Sequence, residues 1–359
     1  MSLFDSLFGS KKGFGLDISD SSIEALELEK VSNEIKVKGY GRLQIPNKEY
    51  IENGEIKQKE PLIKSIKEVI DKAEPEKIRT RNVVISIPES RVFTHFFDLP
   101  INLKTKEIKE ALSYEIESIF PYSSKELYLD FKIISRKEKT QEIFVAASPI
   151  KIINDFKEVI EGAGLKPIVF DMESKSLARA LIDKFEKNQA IMILDIGART
   201  SIISIFDEVG LRLTSNIKLA GNRFTKEVAS VLNISLEEAE KIKIKEGFLS
   251  EKFGEALKKA AQILCQEVKK EIKFTEERYQ FKISKIILAG GSSLLPGIKD
   301  YLEKEIGLPM ENGNPLIKLS KDNILAKKEK SILFADVIGL ALRALEKDPI
   351  KVDINLLKG

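Results

Sequence analysis

Residues 191–206 read "IMILDIGARTSIISIF", and residues 13–28 read "GFGLDISDSSIEALEL". Each stretch is an apolar run that ends at an aspartate, followed by a short turn rich in Ser or Thr and then a second apolar run. Apolar runs of this length between turn-forming residues predict β-strands. The same strand–turn–strand unit therefore opens two parts of the chain, which indicates an internal duplication.

Both copies continue as a strand meander and then as helices. In the first copy, strands are predicted at 22–30 and 34–46, a helix at 60–73 and another strand at 82–88. The apolar positions of that helix recur every three or four residues, as one buried face requires. The second copy runs through three strands and three helices before a strand that ends in "LAGG". This alternation predicts an α/β protein.

The composition describes a chain long enough for two domains. Of 359 residues, 43% are apolar and 32% are charged, and the net charge of +3 argues against a strongly basic nucleic-acid-binding protein. No apolar run reaches the ~18 residues that span a bilayer, and the first residues do not follow the pattern of a secretory signal. A single cysteine, Cys265, and a single histidine, His95, favour a reducing cytoplasm and exclude a histidine-rich metal site.

The turns that follow the two aspartates have the chemistry of a phosphate site. Small residues in a tight turn expose backbone N–H groups to phosphate oxygens. Asp17 and Asp195 end their strands, where each carboxylate can hold Mg²⁺ through its water shell. Nearby hydroxyl groups can add hydrogen bonds, and they belong to Ser21, Ser22, Thr200 and Ser201. Two such turns predict a clamp on a polyphosphate.

A third segment, "AGGSS" at 289–293, follows a predicted strand. Its two glycines allow the close backbone approach that a flat ligand such as adenine requires. Each of the three segments occurs by chance in other proteins, but their order along this chain combines phosphate and base recognition. A nucleotide site accounts for all three.

The order of these segments resembles that of the actin, sugar-kinase and heat-shock-chaperone ATPase superfamily. "LDISDSS" resembles its first phosphate motif, "LDIGARTS" its second and "LAGGSSLLPG" its adenosine motif, while "DMESKSLARAL" and "ADVIGLALRAL" look like its two connecting helices. Over nearly its whole length the chain is similar to the PilM family of actin-like type IV pilus assembly proteins, which is related to the division protein FtsA. The resemblance implies duplicated actin-like (ribonuclease-H-like) ATPase domains, with a small α+β subdomain inserted in the first half.

The resemblance also implies roles for particular residues, with ATP and Mg²⁺ as the cofactors. The metal-side carboxylates would be Asp17 and Asp195. Glu240 and Lys243 would reach the ribose and base, although an i,i+3 pair of this kind is also typical of a solvated helix face. The full set of implied nucleotide-binding positions is Ser19, Ser21, Ser22, Gly197, Arg199, Thr200, Ser201, Glu240, Lys243, Gly290, Gly291 and Ser292.

Two positions depart from the superfamily pattern. Residue 19 is Ser where the first phosphate turn usually carries Gly, and Arg199 is a bulky residue in the second turn. Neither change removes a carboxylate, and Arg199 has the charge to contact phosphate. The sequence shows no group aligned to orient an attacking water, so the catalytic residue stays unassigned. We therefore expect nucleotide binding with weak or no hydrolysis.

The domain boundaries are predicted from the same segments. Residues 1–12, which include "MSLFDSLFG", place Leu and Phe on one helical face, so both a packed or disordered terminus and a contact with a membrane surface are hypotheses for them. The remaining predicted parts are a first actin-like domain at 13–88 and 171–189, an inserted subdomain at 89–170, a second actin-like domain at 190–347 with a helical subdomain at about 222–284, and a tail at 348–359.

The tail carries a short motif, formed by Ile354, Asn355, Leu356 and Leu357. In the family that the chain resembles, a groove between the first domain and the inserted subdomain takes an Ile-Asn-Leu-Leu-Pro segment from the cytoplasmic N-terminus of the inner-membrane protein PilN. An extended segment with alternating apolar side chains can add to a sheet edge. We therefore hypothesise that residues 352–359 occupy the groove of the same or a neighbouring molecule, which would allow self-association; an unstructured tail is the alternative.

Three functions are compatible with the sequence. The resemblance favours a cytoplasmic ATP-binding scaffold of the type IV pilus machinery, peripheral on the inner face of the membrane through a PilN-like partner. An FtsA-like division or cytoskeletal filament protein is the alternative, although such proteins usually carry a C-terminal amphipathic helix. A small-molecule kinase of the same fold ranks last, because the sequence shows no substrate-binding acid that could act as its base.

Overall fold

The computed structural model describes residues 13–20, 22–45, 49–327 and 330–358. They form two compact units. Unit 1 contains the described residues up to Arg179, the segment Lys318–Lys327 and the residues from Asp336 onward, and unit 2 contains Ala180–Ile317 and a short segment that ends at Ala335. The hypotheses for residues 1–12 concern a segment outside the described residues.

Strands and helices alternate along the chain, as the sequence predicts. The strands are β1 (Phe14–Ile18), β2 (Ser22–Val31), β3 (Glu34–Gln44), β4 (Ile51–Glu52), β5 (Glu55–Ile56), β6 (Glu74–Pro75), β7 (Asn82–Ile87), β8 (Phe93–Pro100), β9 (Leu127–Arg136), β10 (Thr140–Pro149), β11 (Lys166–Met172), β12 (Gln189–Ile196), β13 (Ser201–Asp207), β14 (Gly210–Ile217), β15 (Lys282–Ala289) and β16 (Met310–Asn312). The helices are α1 (Lys59–Asp71), α2 (Thr105–Glu115), α3 (Ile150–Gly162), α4 (Glu173–Leu181), α5 (Gly221–Leu232), α6 (Leu236–Glu246), α7 (Gly254–Tyr279), α8 (Ile298–Ile306) and α9 (Ala335–Ala344).

The main sheets of the two units share one topology. The six-stranded sheet of unit 1 has the order β11-β7-β1-β2-β3-β6, and the five-stranded sheet of unit 2 has the order β14-β13-β12-β15-β16. In each sheet, the strand that carries the predicted aspartate pairs antiparallel with the next strand and parallel with a later one, as β1 does with β2 and β7 and β12 does with β13 and β15. The shared order confirms the internal duplication.

Burial explains why β12 and α7 form where the sequence places them. Residues 191–194 of β12 are all buried, as expected for a central strand that is covered on both faces. Leu257, Leu264 and Val268 form the buried stripe of α7, at the spacing that the sequence predicts. Cys265 lies in the same apolar cluster, where burial raises the pKa of its thiol to about 11, so it is a packing residue.

The insertion in unit 1 is a three-stranded sheet of order β8-β10-β9, covered by α2. Ile108 and Leu112 of α2 pack against Ile143 and Val145 of β10. This sheet spans residues 93–149. The predicted insertion extended to residue 170, but β11 pairs in parallel with β7 and forms an edge of the six-stranded sheet, because its apolar run finds its hydrogen-bond partner there.

Two helices cross closely within unit 1. The hydroxyl of Ser176 in α4 donates to the carbonyl of Asp336 in α9 (2.7 Å), and Nη1 of Arg179 donates to the carbonyl of Gly339 (3.0 Å). A Cβ atom at Gly339 would overlap the carbonyl oxygen of Ser176, so glycine is what allows the helices to approach this closely. None of the helices in the described part of the chain combines the length and the apolar character that a membrane span needs.

Candidate nucleotide site

The second phosphate turn, the "AGGSS" segment and the start of α5 meet at the carbonyl of Gly197 in unit 2. Gly197 follows β12, and its own N–H donates to the carbonyl of Thr200 (3.1 Å), which closes the turn. The carbonyl of Gly197 accepts the hydroxyl of Ser292 (2.8 Å) and the N–H of Gly221 (3.1 Å). The phosphate-like turn, the "AGGSS" segment and the start of α5 are thereby held together.

A cavity of about 310 Å³ lies at this junction, within unit 2. Its size is at the lower end of the range for small-ligand pockets. Five of the residues that the sequence analysis assigned to nucleotide binding line it, and the other lining residues were not predicted. The lining consists of Gly197, Ala198, Gly221, Asn222, Glu240, Lys243, Ile244, Gly291, Ser292, Leu294, Leu295, Lys330 and Leu333.

Glycine is required at position 290, beside this cavity. Gly290 has φ of +78°, a region that residues with a side chain rarely adopt. A Cβ atom there would overlap the carboxylate of Asp195 and the carbonyl of Ile196. The turn after β15 therefore lies directly against the carboxylate that ends β12.

The pair Glu240 and Lys243 lies on α6, which begins with a capping box. The hydroxyl of Ser235 accepts the N–H of Glu238 (3.3 Å), and the carboxylate of Glu238 accepts the N–H of Ser235 (3.2 Å). The side chain of Lys243 is only 4% exposed, whereas that of Glu240 is 43% exposed. The alternative of a solvated helix face is therefore wrong for Lys243.

Lys243 donates three hydrogen bonds at the wall of the cavity. Its Nζ atom lies 2.7 Å from Oε2 of Glu240, 2.8 Å from the hydroxyl of Thr225 and 3.1 Å from the carbonyl of Gly221. Burial lowers the pKa of Lys243, while the contact with Glu240 acts in the opposite direction. Thr225 also donates to Glu240. This network holds α6 against α5 and orients a carboxylate, which accepts hydrogen bonds, at the mouth of the cavity.

The remaining residues of the second phosphate turn have different surroundings. The hydroxyl of Ser201 donates to the carbonyl of Leu219 (2.6 Å) and the residue is fully buried, so this hydroxyl fixes the sheet and does not face the cavity. Thr200 and Arg199 are partly exposed. Burial lowers the pKa of the Arg199 guanidinium, which remains a cation at neutral pH.

The first phosphate turn lies in unit 1, after β1. The N–H of Ser19 donates to the carbonyl of Ser22 (2.9 Å), and the N–H of Ser22 donates to the hydroxyl of Ser19 (3.1 Å). The serine that replaces the usual glycine thus closes the turn with its own side chain. Ser21 lies outside the described residues, and Asp17 lies on β1 opposite Glu24 of β2.

Two carboxyl groups that sequence reasoning missed interact with Asp17. The hydroxyl of Ser86 in β7 donates to Asp336 of α9 (2.7 Å), and burial, followed by the charge of Asp17, raises the pKa of Asp336. Burial and the charge of Asp336 likewise raise the pKa of Glu173 at the start of α4. The sequence feature that could have indicated Asp336 is an acidic residue within the otherwise apolar helix "FADVIGLAL" (334–342).

The described residues contain no group of three or more His, Cys, Asp or Glu side chains placed to hold a metal ion. Asp17 and Asp195 each bring one carboxylate at the end of a central strand. A Mg²⁺ ion that keeps several waters and binds a single carboxylate together with ligand phosphates fits either of these donors.

The tail motif lies in unit 1, along the outer edge of β11. The N–H of Leu356 donates to the carbonyl of Phe170 (2.9 Å). The side chain of Asn355 accepts the N–H of Phe170 (3.0 Å) and donates to the carbonyl of Ile168 (3.1 Å). On the other side, Asp130 of β9 accepts the N–H of Asn355 (2.9 Å). The motif therefore lies between the edge strand β11 of the main sheet and β9 of the inserted sheet of its own chain.

Comparison with known proteins places the chain in a family. The profile described as "Type IV pilus assembly protein PilM" matches residues 15–345. The chain belongs to the PilM family. A solved "PilM-PilN type IV pilus biogenesis complex" contains a chain that is 25% identical, with a TM-score of 0.80 over 93% of this chain and 99% of that one.

More distant relatives share the fold. The cell division protein FtsA of Neisseria meningitidis is 26% identical over 213 residues, which are 52% of this chain and 50% of that protein. FtsA of Streptococcus pneumoniae is 21% identical over 83% of this chain and 75% of that protein. MreB5 of Spiroplasma citri, solved with AMPPNP, is 15% identical with a TM-score of 0.54, over 92% of this chain and 95% of that one. These similarities support the actin-like ATPase fold.

Proposed function

We propose that the chain is an ATP-binding scaffold of the type IV pilus assembly machinery. The observation that carries the proposal is the cavity in unit 2, where the second phosphate turn, the "AGGSS" turn and the Glu240–Lys243 pair meet, in a chain of the PilM family. A scaffold is favoured over a small-molecule kinase because family membership accounts for the chain without a second substrate.

In this proposal, different residues contact the base, the ribose and the metal ion of the bound nucleotide. Gly291 and Ser292 line the cavity beside Gly197, where backbone can approach a flat base closely. Glu240 would accept hydrogen bonds from ribose hydroxyl groups, and Lys243 would hold it in place. Asp195 would bind the water shell of Mg²⁺, which would neutralise phosphate charge when bound.

Weak or absent hydrolysis is part of the proposal. The hydroxyl of Ser19 occupies the first phosphate turn through its bonds to Ser22, and it adds bulk where the superfamily usually has glycine. Burial, together with the charge of Asp17, raises the pKa of the neighbouring carboxyl groups Glu173 and Asp336, and no role in orienting a water is assigned to either.

The partner in this proposal is a PilN-like inner-membrane protein, bound through its cytoplasmic N-terminal segment. The groove along β11 is the proposed docking site, because the edge strand of a sheet is a common site for the addition of extended peptides. Residues 352–359 would compete with that segment or, in a neighbouring molecule, link two chains. Binding to this partner would place the chain at the inner face of the cytoplasmic membrane.

Equilibrium binding of a fluorescent ATP analogue with Mg²⁺ tests the nucleotide site. We expect saturable binding by the unsubstituted chain and a loss of at least about tenfold in affinity for Asp195→Ala, because a metal-side carboxylate is removed. Asp183→Ala, an exposed position outside the cavity, is the control and should bind as the unsubstituted chain does. Absence of binding by a folded unsubstituted chain would contradict the nucleotide site.

A further inference from the structure

The residue directly before the tail motif is surrounded by three cationic side chains from three elements. Nζ of Lys175 in α4 lies 2.8 Å from Oδ1 of Asp353, and Nζ of Lys132 in β9 lies 3.6 Å from the same atom. Arg343 of α9 donates from Nη2 to the carbonyl of Asp353 (3.1 Å). The carboxylate and the backbone of this one residue are thus both bound.

Lys175 is a buried cation that needs an anionic partner. Its side chain is 7% exposed and its Nζ atom lies 5.2 Å from the centre of the Phe144 ring. A buried ammonium group is costly unless it is paired, and burial lowers the pKa of Lys175 accordingly. Burial by itself would raise the pKa of Asp353, but Lys175 and Lys132 lower it. The separation of 2.8 Å between Nζ of Lys175 and Oδ1 of Asp353 is that of an ion pair.

Asp171, the other carboxylate near Lys175, is bound elsewhere. Its Oδ1 atom lies 2.8 Å from Nη1 of Arg343, and its Oδ2 atom lies 3.1 Å from Nη2 of Arg179. Asp353 is the carboxylate that directly contacts Lys175. The groove consequently presents a positively charged subsite to the residue that precedes the motif.

The next three residues complete a recognition pattern. Ile354 and Leu356 are 1% and 0% exposed, so the groove provides two apolar subsites. Between them, Asn355 satisfies the outward N–H of Phe170 and the outward carbonyl of Ile168, which an apolar side chain could not do. The pattern is a carboxylate, an apolar residue, Asn and an apolar residue in an extended chain.

We propose that this groove selects extended segments in which a carboxylate directly precedes the apolar-Asn-apolar core, and that residues 353–357 are a resident occupant that such a segment must displace. The inference rests on the proposed function, because it assumes that the partner segment binds in the groove along β11. The subsite formed by Lys132 and Lys175 is what it adds: it specifies the acidic residue that the partner segment should carry.

Peptide binding to the full chain with Asn355→Ala tests the charge preference, because this change weakens the resident tail without altering the subsite. Three labelled peptides are compared by fluorescence anisotropy: Asp-Ile-Asn-Leu-Leu and its versions with Asn or Lys at the first position. We expect the Asp peptide to bind at least about tenfold more tightly than the Asn peptide, since a charged hydrogen bond is lost, and the Lys peptide to bind least. The unsubstituted chain should bind the Asp peptide more weakly than the Asn355→Ala chain does.

Reversal of one charge provides a second test that does not depend on the tail variant. Lys132 is 43% exposed on β9, so Lys132→Glu leaves the apolar packing intact. In the unsubstituted tail background, it should release residues 353–357 and speed hydrogen exchange of the Leu356 amide. In the Asn355→Ala background, Lys132→Glu should weaken binding of the Asp peptide and strengthen binding of the Lys peptide. Lys139→Glu, in the exposed turn before β10, makes the same change in net charge. It should neither release residues 353–357 nor change the relative affinities of the peptides.

The outcomes separate this inference from the function on which it rests. Equal binding of the Asp and Asn peptides overturns the charged subsite and leaves the groove proposal standing. Binding of none of the peptides by a folded Asn355→Ala chain overturns the groove proposal as well. Concentration-dependent dimers of the unsubstituted chain that Asp353→Lys abolishes would assign the groove to the tail of a second copy, and would overturn the assignment to a partner segment.

Discussion

Lys243 illustrates how burial changes the interpretation of a charged pair. From spacing alone, Glu240 and Lys243 resemble any i,i+3 pair on a helix surface. In the structure, Lys243 is buried between α5 and α6, and its three hydrogen bonds leave Glu240 at the mouth of the cavity. The pair is therefore part of a site whose shape depends on both helices.

We predict that Glu240→Ala weakens binding of ATP with Mg²⁺ by about tenfold, because it removes a charged hydrogen-bond acceptor from the cavity. The measurement is the same fluorescence titration that tests Asp195. Glu237→Ala is a matched control on the same helix, since Glu237 is 81% exposed and forms an ion pair with Lys241 on the surface. If both variants bind equally, Glu240 has no role in the site.

Hydroxyl groups were the least predictable part of the candidate site. Ser19 bonds within its own turn, and Ser201 bonds to the carbonyl of Leu219 in the interior. Both residues lie in the turns that the sequence predicts, but the direction of a hydroxyl depends on which backbone carbonyl lies nearby. A motif therefore locates the turn more reliably than it assigns each side chain to a ligand.

At the scale of elements, close helix contacts are decided by single glycines. Gly339 of α9 faces the carbonyl of Ser176 in α4, and a Cβ atom would overlap it. Backbone cannot move aside as the end of a flexible side chain can. The sequence "DVIGLAL" (336–342) predicts an apolar helix but gives no indication of which neighbour the glycine touches.

Gly339→Ala should lower the free energy of unfolding by about 2 kcal/mol or more, because the two helices must separate to fit one methyl group. Urea denaturation followed by circular dichroism measures the change. Gly162→Ala is the matched control: its added Cβ would meet the terminal methyl group of Ile63, which can rotate away, at an exposed helix end. An equally small effect of both substitutions would contradict the tight crossing.

At the scale of the whole molecule, the last residues connect segments that lie far apart in sequence. Asp353 binds Lys175 of α4 and lies near Lys132 of β9, while Arg343 of α9 donates to its carbonyl. Asp130 of β9 accepts the neighbouring N–H of the tail. The segment is thus a structural part of unit 1 as well as a candidate competitor for a partner.

Asp353→Asn should destabilise the chain by about 1–3 kcal/mol at neutral pH, since a buried lysine loses its charged partner. Because Lys175 and Lys132 hold the pKa of folded Asp353 below its usual value, this stabilisation is present above the unfolded pKa of about 3.9 and is lost as pH falls toward the folded pKa. Urea denaturation from pH 7 to pH 3 should therefore show the two chains converging in stability in acid. Asp348→Asn, an exposed change in the same segment, should have little effect at either pH. A difference that stays constant with pH would contradict the ion pair.

The sequence by itself determined the duplicated strand–turn–strand units, the helices between them and the positions of Asp17, Asp195 and Gly290 at strand ends. These features are local, because the spacing of apolar residues and the residue types that form turns are both set within a few neighbouring positions. Only the tertiary structure decided that β11 joins the main sheet, that Lys243 is buried beside the cavity and that residues 354–357 lie on the edge of β11. Those outcomes depend on partners more than 15 residues away in sequence, as the hydrogen bond from the N–H of Phe170 to Oδ1 of Asn355 shows, with a separation of 185. An edge strand and a buried cation bind the segment that the fold brings to them, and the tail motif by itself left open whether that segment belongs to the same or to a neighbouring molecule.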